Sequence, residues 1–374
     1  MSIIVHLVVR DELDKFPVGY INFMKLRMTG YEHHFFLSNS DSTHTINEPL
    51  NLCDNQNVYY YDDLLSELMK PESMNLLRKC DKIIANQPFA MDNKTILFLI
   101  RSGLSAKTYP YFWNSYDFPG KGLMHKVKRF LRMFRHPRAA LQHMCMRLFV
   151  KKSAGIIGLI DGDVDALMQT FPEAVKSFVA PMPGNPLITY DFSARDRHTE
   201  KNTYRIVVGH SAHECSHLEG FKLLEHLKGE NIEIVCPLSY GLPKVRENVL
   251  EIGSSMFGDK FVPVTDFMTK QEYINLLGSC DVGVFPTHAQ HGMGNISLLL
   301  KLGKKVYMRD DTTMWQQYRQ KMKYTVYPVS ELEGITLEQL VNFPEELAYN
   351  NIHIAEEYSA RSQIPEQWRK VFDD

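Results

Sequence analysis

Residues 282–308 read VGVFPTHAQHGMGNISLLLKLGKKVYM. An apolar, β-rich run (282–286) gives way to the loop His288-Ala289-Gln290-His291-Gly292-Met293-Gly294-Asn295. A leucine-rich run closed by Gly303 follows, and then a second apolar run (304–308). Buried parallel strands read as short uninterrupted apolar stretches. Strand, loop, helix and strand in that order form the repeating unit of a doubly wound α/β sheet. The helix is expected to start near Asn295, with Asn295 or Ser297 supplying a cap or a hydroxyl. Gly292 and Gly294 let the backbone approach a ligand closely. The N–H groups that follow, at a helix N-terminus, suit a phosphate. Two glycines also serve an ordinary tight turn, and it is the strand–loop–helix setting that points to a ligand.

The alternation recurs along the chain. Further candidate strands are 3–9, 33–38, 82–85, 95–100 (TILFLI) and 155–160 (GIIGLI), then 204–210, 232–238 and 304–308. Between them, residues 217–229 carry Leu218, Phe221, Leu224 and Leu227 at near-helical spacing, and Thr269 with Glu272 spells a capping box. The segment 179–204 is rich in Pro, Gly, Asn and charge and breaks the rhythm. The chain is therefore expected to divide into α/β domains at 1–190 and 200–345, with one or two helices in 346–374. The 374 residues are 44% apolar and carry a net charge of -2, so each domain can bury a core and bulk charge points to no nucleic acid. The start SIIVHLVVRDELD is charged too soon for a secretory signal, and no apolar run reaches the ~20 residues of a membrane span. The six cysteines form no C-x-x-C pair and read as free thiols in a reducing cytoplasm.

His213-Glu214-Cys215-Ser216-His217 has the H-E-x-x-H spelling of a zinc protease, which needs both histidines on one helix face and a third ligand. Here the spelling follows the strand YRIVVGH and falls on a strand-to-helix turn, and nothing downstream marks a third ligand. Such a turn, at the carboxyl end of a strand, fits anion or sugar contact better, through Gly209, His210 and Ser211.

Taken in order, these motifs resemble glycosyltransferase family 56. The family shows a V-G-N-S turn, a V-P-x-x-Y strand end, a C-D-x-G strand followed by Q-x-G-x-G, and an N-R-E…W segment. The matching stretches here are Val208-Gly209-His210-Ser211, Cys236 to Tyr240, Cys280 to Gly283, Gln290 to Gly294, and Arg309-Asp310 with Trp315. They cover most of residues 204–318. In the first half, YPYFWNSYDF (109–118) is similar to an aromatic run ending in W-G-x-D. Asp117 keeps the acid, while Asn114-Ser115 replace Trp-Gly, and His210 replaces the turn asparagine. The family does not share the HECSH spelling.

The resemblance implies a GT-B architecture, two Rossmann-like doubly wound domains facing across a cleft, with a final helix crossing back to the first domain. It implies a nucleotide-sugar in the C-terminal domain and an acceptor at the N-terminal one. The donor would be a dTDP-sugar carrying a deoxyamino sugar of the N-acetylfucosamine kind. The acceptor would be a polyprenyl-linked glycan of bacterial surface polysaccharide synthesis, such as enterobacterial common antigen or O-antigen. Gly209, His210, Ser211, Tyr240, Gln290, Gly292, Gly294, Asn295 and Arg309 are the expected donor-binding residues, and Asp117 the expected catalytic base. Asp161-Gly162-Asp163 and Asp310-Asp311 read as turns, and neither a metal nor another cofactor is expected. A GT-B transferase using a UDP- or GDP-sugar, and a non-catalytic nucleotide-sugar or glycan-binding protein, are the alternatives; turnover separates the second.

Between Lys121 and Lys152 lie ten Lys or Arg residues and no acid. Leu123, Val127, Phe130, Leu131 and Phe134 fall at helical spacing, with Lys126, Lys128, Arg129, Arg132 and Arg135 among them. A basic amphipathic helix of this kind can rest on an anionic membrane surface, gaining about 1 kcal/mol per cation; the bland counterpart is a helix pair with a solvated basic face. Pro137 is expected to open a second helix. The expected location is cytoplasmic and peripheral on the inner face of the cell membrane.

Overall fold

The computed structural model describes residues 1–8, 15–38, 52–113, 137–183, 203–213, 216–288, 290–360 and 363–374. The chain forms two compact units, one of Met1–Gly184 with Gln363–Asp374 and one of Asn185–Ser362.

In the first unit the described strands are β1 (Ile3–Val8), β2 (Glu32–Ser38), β3 (Val58–Tyr61), β4 (Lys82–Asn86), β5 (Thr108–Phe112), β6 (Ile156–Gly158) and β7 (Ser177–Val179). They pair in parallel in the order β3-β2-β1-β4-β5-β6-β7. The second unit has β8 (Tyr204–Val208), β9 (Ile232–Pro237), β10 (Phe261–Val264), β11 (Val282–Phe285), β12 (Lys305–Met308) and β13 (Tyr327–Pro328). Their order is β10-β9-β8-β11-β12-β13, again parallel. Both sheets reverse strand order beside their first strand, at β1/β4 and at β8/β11. That reversal opens a crevice at the carboxyl ends of the strands, where doubly wound sheets bind ligands.

Several sequence expectations change. TILFLI is helix, not strand: it lies in Asn93–Arg101. The Asp92 carboxylate accepts the Lys94 and Thr95 N–H groups at 2.7 and 2.9 Å, an N-cap that starts a helix in which Ile96 and Leu99 face the core. The GIIGLI strand shortens to Ile156–Gly158. Asp161 and Asp163 are not in a turn; they occupy the first turn of the helix Asp161–Thr170, where the helix dipole favours acids. The aromatic run at 109–113 is core: Tyr109, Tyr111, Phe112 and Trp113 are all buried on one or other face of β5. The Thr269–Glu272 capping box forms, and the helix Pro137–Lys152 opens on Pro137. Cys80, Cys145, Cys236 and Cys280 are buried free thiols, and Cys53 is exposed.

The last helix, Ile364–Phe372, belongs to the first unit and inserts Trp368, Val371 and Phe372 into its core. Trp368 donates its indole N–H to the Pro181 carbonyl at 3.2 Å, and Asp374 takes the Lys176 ammonium and the Tyr109 hydroxyl at 2.7 and 2.8 Å. Beneath this helix runs a buried hydrogen-bonded chain. His33 Nε2 faces the Met28 carbonyl at 3.1 Å and must carry the proton. His33 Nδ1 therefore accepts from His6 Nε2 at 2.9 Å, and His6 Nδ1 accepts from the Tyr20 hydroxyl at 2.7 Å. Phe372 packs against both imidazoles. Burial holds His6 well below its ordinary pKa and His33 down at about 4, with the neighbouring histidines adding to the effect.

The folded state keeps these histidines neutral, while the unfolded chain protonates them below about pH 6.5. Their contribution to stability is whole above that value and is lost as the pH falls toward the depressed folded pKa. Between about pH 7 and pH 5, His33 alone should cost on the order of 2 kcal/mol. Denaturant unfolding across that range should show this loss. His33→Gln, which can still donate to Met28 and accept from His6, should flatten the decline. The depressed carboxylates Asp311 and Asp374 titrate below the window.

Candidate functional site

In the second unit, the turns leaving β8 and β11 meet at the switch point. The Gly209 N–H donates to the Val284 carbonyl at 2.9 Å, tying the end of β8 to β11. Gly209 has φ +72°, and a Cβ there would stand 2.3 Å from His217 Nε2. The backbone of Gly209 is therefore packed directly on the His217 imidazole. Gly292 also has φ +72°, and a Cβ on it would come within 3.3 Å of His210. Only residues without a side chain fit this double approach.

The turn after β8 is also stitched to β9. The Ala212 N–H donates to the Tyr240 carbonyl at 2.8 Å, and the Leu242 N–H to the Ala212 carbonyl at 2.9 Å. This brings in Tyr240. Its ring lies 5.5 Å from that of His213, which in turn lies 6.5 Å from His291, and His291 lies 5.4 Å from His210. His213 stands in the turn and His217 opens the helix His217–Leu224, so the HECSH histidines do not share a helical face. Glu214 and Cys215 lie outside the described residues. Among the described residues, no group of three or more His, Cys, Asp or Glu is placed to hold a metal ion.

The helix after the second turn spans Met293–Lys301, two residues earlier than the spacing suggests, and Gly292 is its N-cap. Neither Asn295 nor Ser297 caps it. Asn295 donates to the Tyr273 hydroxyl at 2.7 Å, and Ser297 shares a 2.7 Å hydrogen bond with Tyr318. Tyr318 also donates to the Met293 carbonyl at 3.1 Å, from a π-helical stretch Gln316–Lys321 that sequence reading does not reveal. Burial raises the pKa of both tyrosines, which keeps them protonated. The first intrahelical bond runs from the Ile296 N–H to the Gly292 carbonyl. The N–H groups of Met293, Gly294 and Asn295 thus have no acceptor within the helix. Gly294 lies in this first turn.

Two buried side chains add to the open hydrogen-bonding capacity. Ser211 is fully buried and its Oγ has no partner among the described residues; Gln290 is 6% exposed and neither end of its amide has one among them. Buried polar groups are almost always satisfied, and the exceptions call for an explanation. Together the two turns offer backbone donors, a hydroxyl, and an amide that both donates and accepts.

Arg309, just past β12, behaves otherwise. Its guanidinium takes Asp311 in a two-point grip at 2.9 and 2.7 Å and reaches Glu219 at 2.7 Å. The Arg309 side chain holds the Asp311 carboxyl below its usual range. His288 stands 3.5 Å from the other Glu219 oxygen. Arg309 is thus the centre of an acid-rich cluster and has spent much of its donor capacity there. Glu219 and His288 carry no sequence signal of this role, because the pairing spans 90 residues of chain. Asp117 and the cations Lys126, Lys128, Arg129, Arg132 and Arg135 lie outside the described residues.

Gln290 gives a direct test of this geometry. Gln290→Leu should leave the unliganded protein as stable as the parent or more so, by up to about 1–3 kcal/mol, because an unmet buried amide disappears. The same change should weaken stabilisation by nucleoside diphosphates or nucleotide-sugars, read from melting curves with and without ligand.

Residues 136–349, more than half of the chain, match the family model described as 4-alpha-L-fucosyltransferase, glycosyl transferase group 56. Among solved structures, the chain is similar to the trehalose-6-phosphate synthase OtsA, at TM-score 0.65 and 9% identity, covering 100% of this chain and 98% of that one. It is similar to the N-terminal domain of Candida albicans trehalose-6-phosphate phosphatase, at TM-score 0.63 and 10% identity, covering 100% and 96%. It is also similar to sucrose-phosphate synthase from Thermosynechococcus elongatus, at TM-score 0.62 and 12% identity, covering 100% and 98%. Identities this low speak to the fold, which is GT-B. With the family match over the switch-point turns, they make the protein a nucleotide-sugar-dependent glycosyltransferase, and the chain belongs to glycosyltransferase group 56, the 4-alpha-L-fucosyltransferase family.

Proposed function

We propose that the protein moves a deoxyamino sugar, of the N-acetylfucosamine kind, from a dTDP-sugar to a polyprenyl-diphosphate-linked saccharide of a bacterial surface polysaccharide. The observation that carries this reading is the pair of turns at the β8/β11 switch point within a group 56 chain. In it the donor diphosphate lies at the start of the helix Met293–Lys301. The N–H groups of Met293, Gly294 and Asn295 and the Ser211 hydroxyl donate to its oxygens, supported by the helix dipole. Gly209 and Gly292 let the turns that hold it pack closely, His210 and Tyr240 flank it, and the Gln290 amide meets a group of the bound donor that offers both a donor and an acceptor. Arg309 acts one step back, orienting Glu219 and Asp311.

In the transfer, the bond between the anomeric carbon and the diphosphate oxygen breaks and a bond to the acceptor oxygen forms. The acceptor proton passes to a carboxylate, and the nucleoside diphosphate leaves with the electron pair. Fixed donors aimed at the departing oxygens stabilise charge as it develops. Asp117 is the proposed base. Among the described residues no helix is long and apolar enough to cross a membrane. The basic segment supports a meeting with the lipid-linked acceptor at the inner membrane surface, with Lys126, Lys128, Arg129, Arg132 and Arg135 facing it.

Melting curves with dTDP, UDP and GDP, without added metal, test the donor. A ligand at about 100 times its Kd stabilises by about 2.7 kcal/mol. A shift selective for dTDP is expected; a shift with UDP or GDP alone would discard the dTDP donor and keep the transferase. Asp117→Asn should lower kcat by a factor of about 100 or more while the dTDP-induced shift stays unchanged. Near-normal turnover would reject Asp117 as the base.

A further inference from the structure

The helix Pro137–Lys152 is apolar on two opposite sides. Cys145, Met146, Phe149 and Val150 are buried in the core of the first unit beside Phe112 and Phe171. On the other side, Leu141, Met144 and Leu148 follow at i, i+3 and i+7, and are 54%, 61% and 40% exposed. This is one continuous outer stripe, about 10 Å long at the rise of an α-helix. Val175, two residues beyond Glu173, is 69% exposed, and Glu173 holds Arg147 of the same helix. A surface helix ordinarily turns polar residues outward. Here the outward polar residues are all of one sign: Arg138, Arg147, Lys151 and Lys152 are exposed, and the helix contains no acid.

We propose that this outer face docks the first unit on an anionic lipid surface, with Leu141, Met144 and Leu148 entering the headgroup–acyl boundary and the cations among the headgroups. The charge pattern selects the occupant. A second copy of the same face would set four cations against four, with one acid, Glu173, close to each set. A bilayer carrying negative headgroups meets both the apolar stripe and its rim. A helix lying in the interface plane needs this combination of an apolar face and basic flanks. The inference deepens the lipid-linked-acceptor reading by naming the surface that would bring the enzyme to that acceptor.

The test uses the full chain and vesicles of phosphatidylcholine with or without phosphatidylglycerol, at low and high salt, with neither donor nor acceptor present. Its outcome therefore does not depend on which sugar is moved. Failure of docking would leave the acceptor reading to be judged by transfer assays in detergent. The parent should co-sediment with phosphatidylglycerol vesicles at low salt and release at high salt. Leu141→Ser/Met144→Ser/Leu148→Ser should reduce binding at least tenfold, since the three half-exposed side chains together offer the apolar area of one to two fully buried ones. Lys151→Gln/Lys152→Gln should reduce it roughly fivefold for each cation removed. Phe267→Ser/Met268→Ser, which removes exposed apolar residues of the second unit, should leave it unchanged. All variants are compared at matched melting temperature. Vesicle binding by the triple serine variant equal to the parent would overturn the proposal. So would a parent that ignores phosphatidylglycerol, or a parent dimer that the triple variant dissolves without any effect on vesicles.

Discussion

Two glycines at one crevice have a backbone where any other residue would have a side chain. Gly209 lies against the His217 ring and Gly292 against His210, both in left-handed conformation. From these contacts follows the rest of the second unit's upper edge. They draw the turns after β8 and β11 together, and the stitches from Ala212 to Tyr240 add the turn after β9. A crevice assembled from three turns of one parallel sheet holds its backbone N–H groups in fixed positions. Such preorganisation is what electrostatic stabilisation of a leaving group requires. The unmet groups of Ser211 and Gln290 are the thermodynamic counterpart. Each costs about 1–3 kcal/mol in the unliganded protein, a cost that the closed apolar core around β8 and β11 offsets.

Charge is distributed unevenly over the two units. In the second, the one arginine expected at the donor turns is held by Asp311 and Glu219. In the proposed reading, the attraction for the donor diphosphate there would rest on peptide dipoles and hydroxyls rather than on that arginine. In the first, cations crowd one helix that has no acid of its own. A near-neutral total thus conceals a cation-rich face in the first unit, and the proposed donor turns of the second would respond to salt differently from it. The exposed face is screened within a Debye length of about 10 Å at ordinary ionic strength, and partly buried turns much less.

The doubly wound layout was legible because buried parallel strands leave apolar runs and because turns at strand ends carry glycine. The longest strands, such as β1, β2 and β9, announced themselves in this way. Val58–Tyr61, Ser177–Val179 and Phe261–Val264 were not legible; β11 and β12 are as short, but they are buried throughout and the glycine-bearing turn and leucine-rich run between them mark them out. Period alone does not separate a buried strand from a buried helix over six residues. TILFLI shows this, since its helical state is set by Asp92, which precedes the run. At the crevice, the turn at 290–295 could be read directly, but the helix begins at Gly292 because an N-cap glycine replaces a side-chain cap. The Glu219–Arg309 pairing and the Tyr318 bond to Met293 were not legible, because they join residues far apart in the chain that only the fold brings together.

The return of the helix Ile364–Phe372 to the first unit has a consequence for biosynthesis. Trp368, Val371 and Phe372 are buried among residues of β1, β2 and β5, so the core of that unit lacks a wall until they are delivered. The intervening unit, Asn185–Ser362, has all its strands in hand before then. At ordinary rates of translation, the last 190 or so residues take roughly 10–40 s to emerge. For that interval the first unit stays unfinished while the second is being made. The open groove over Tyr20 and Tyr111 is the surface that a chaperone would have to guard.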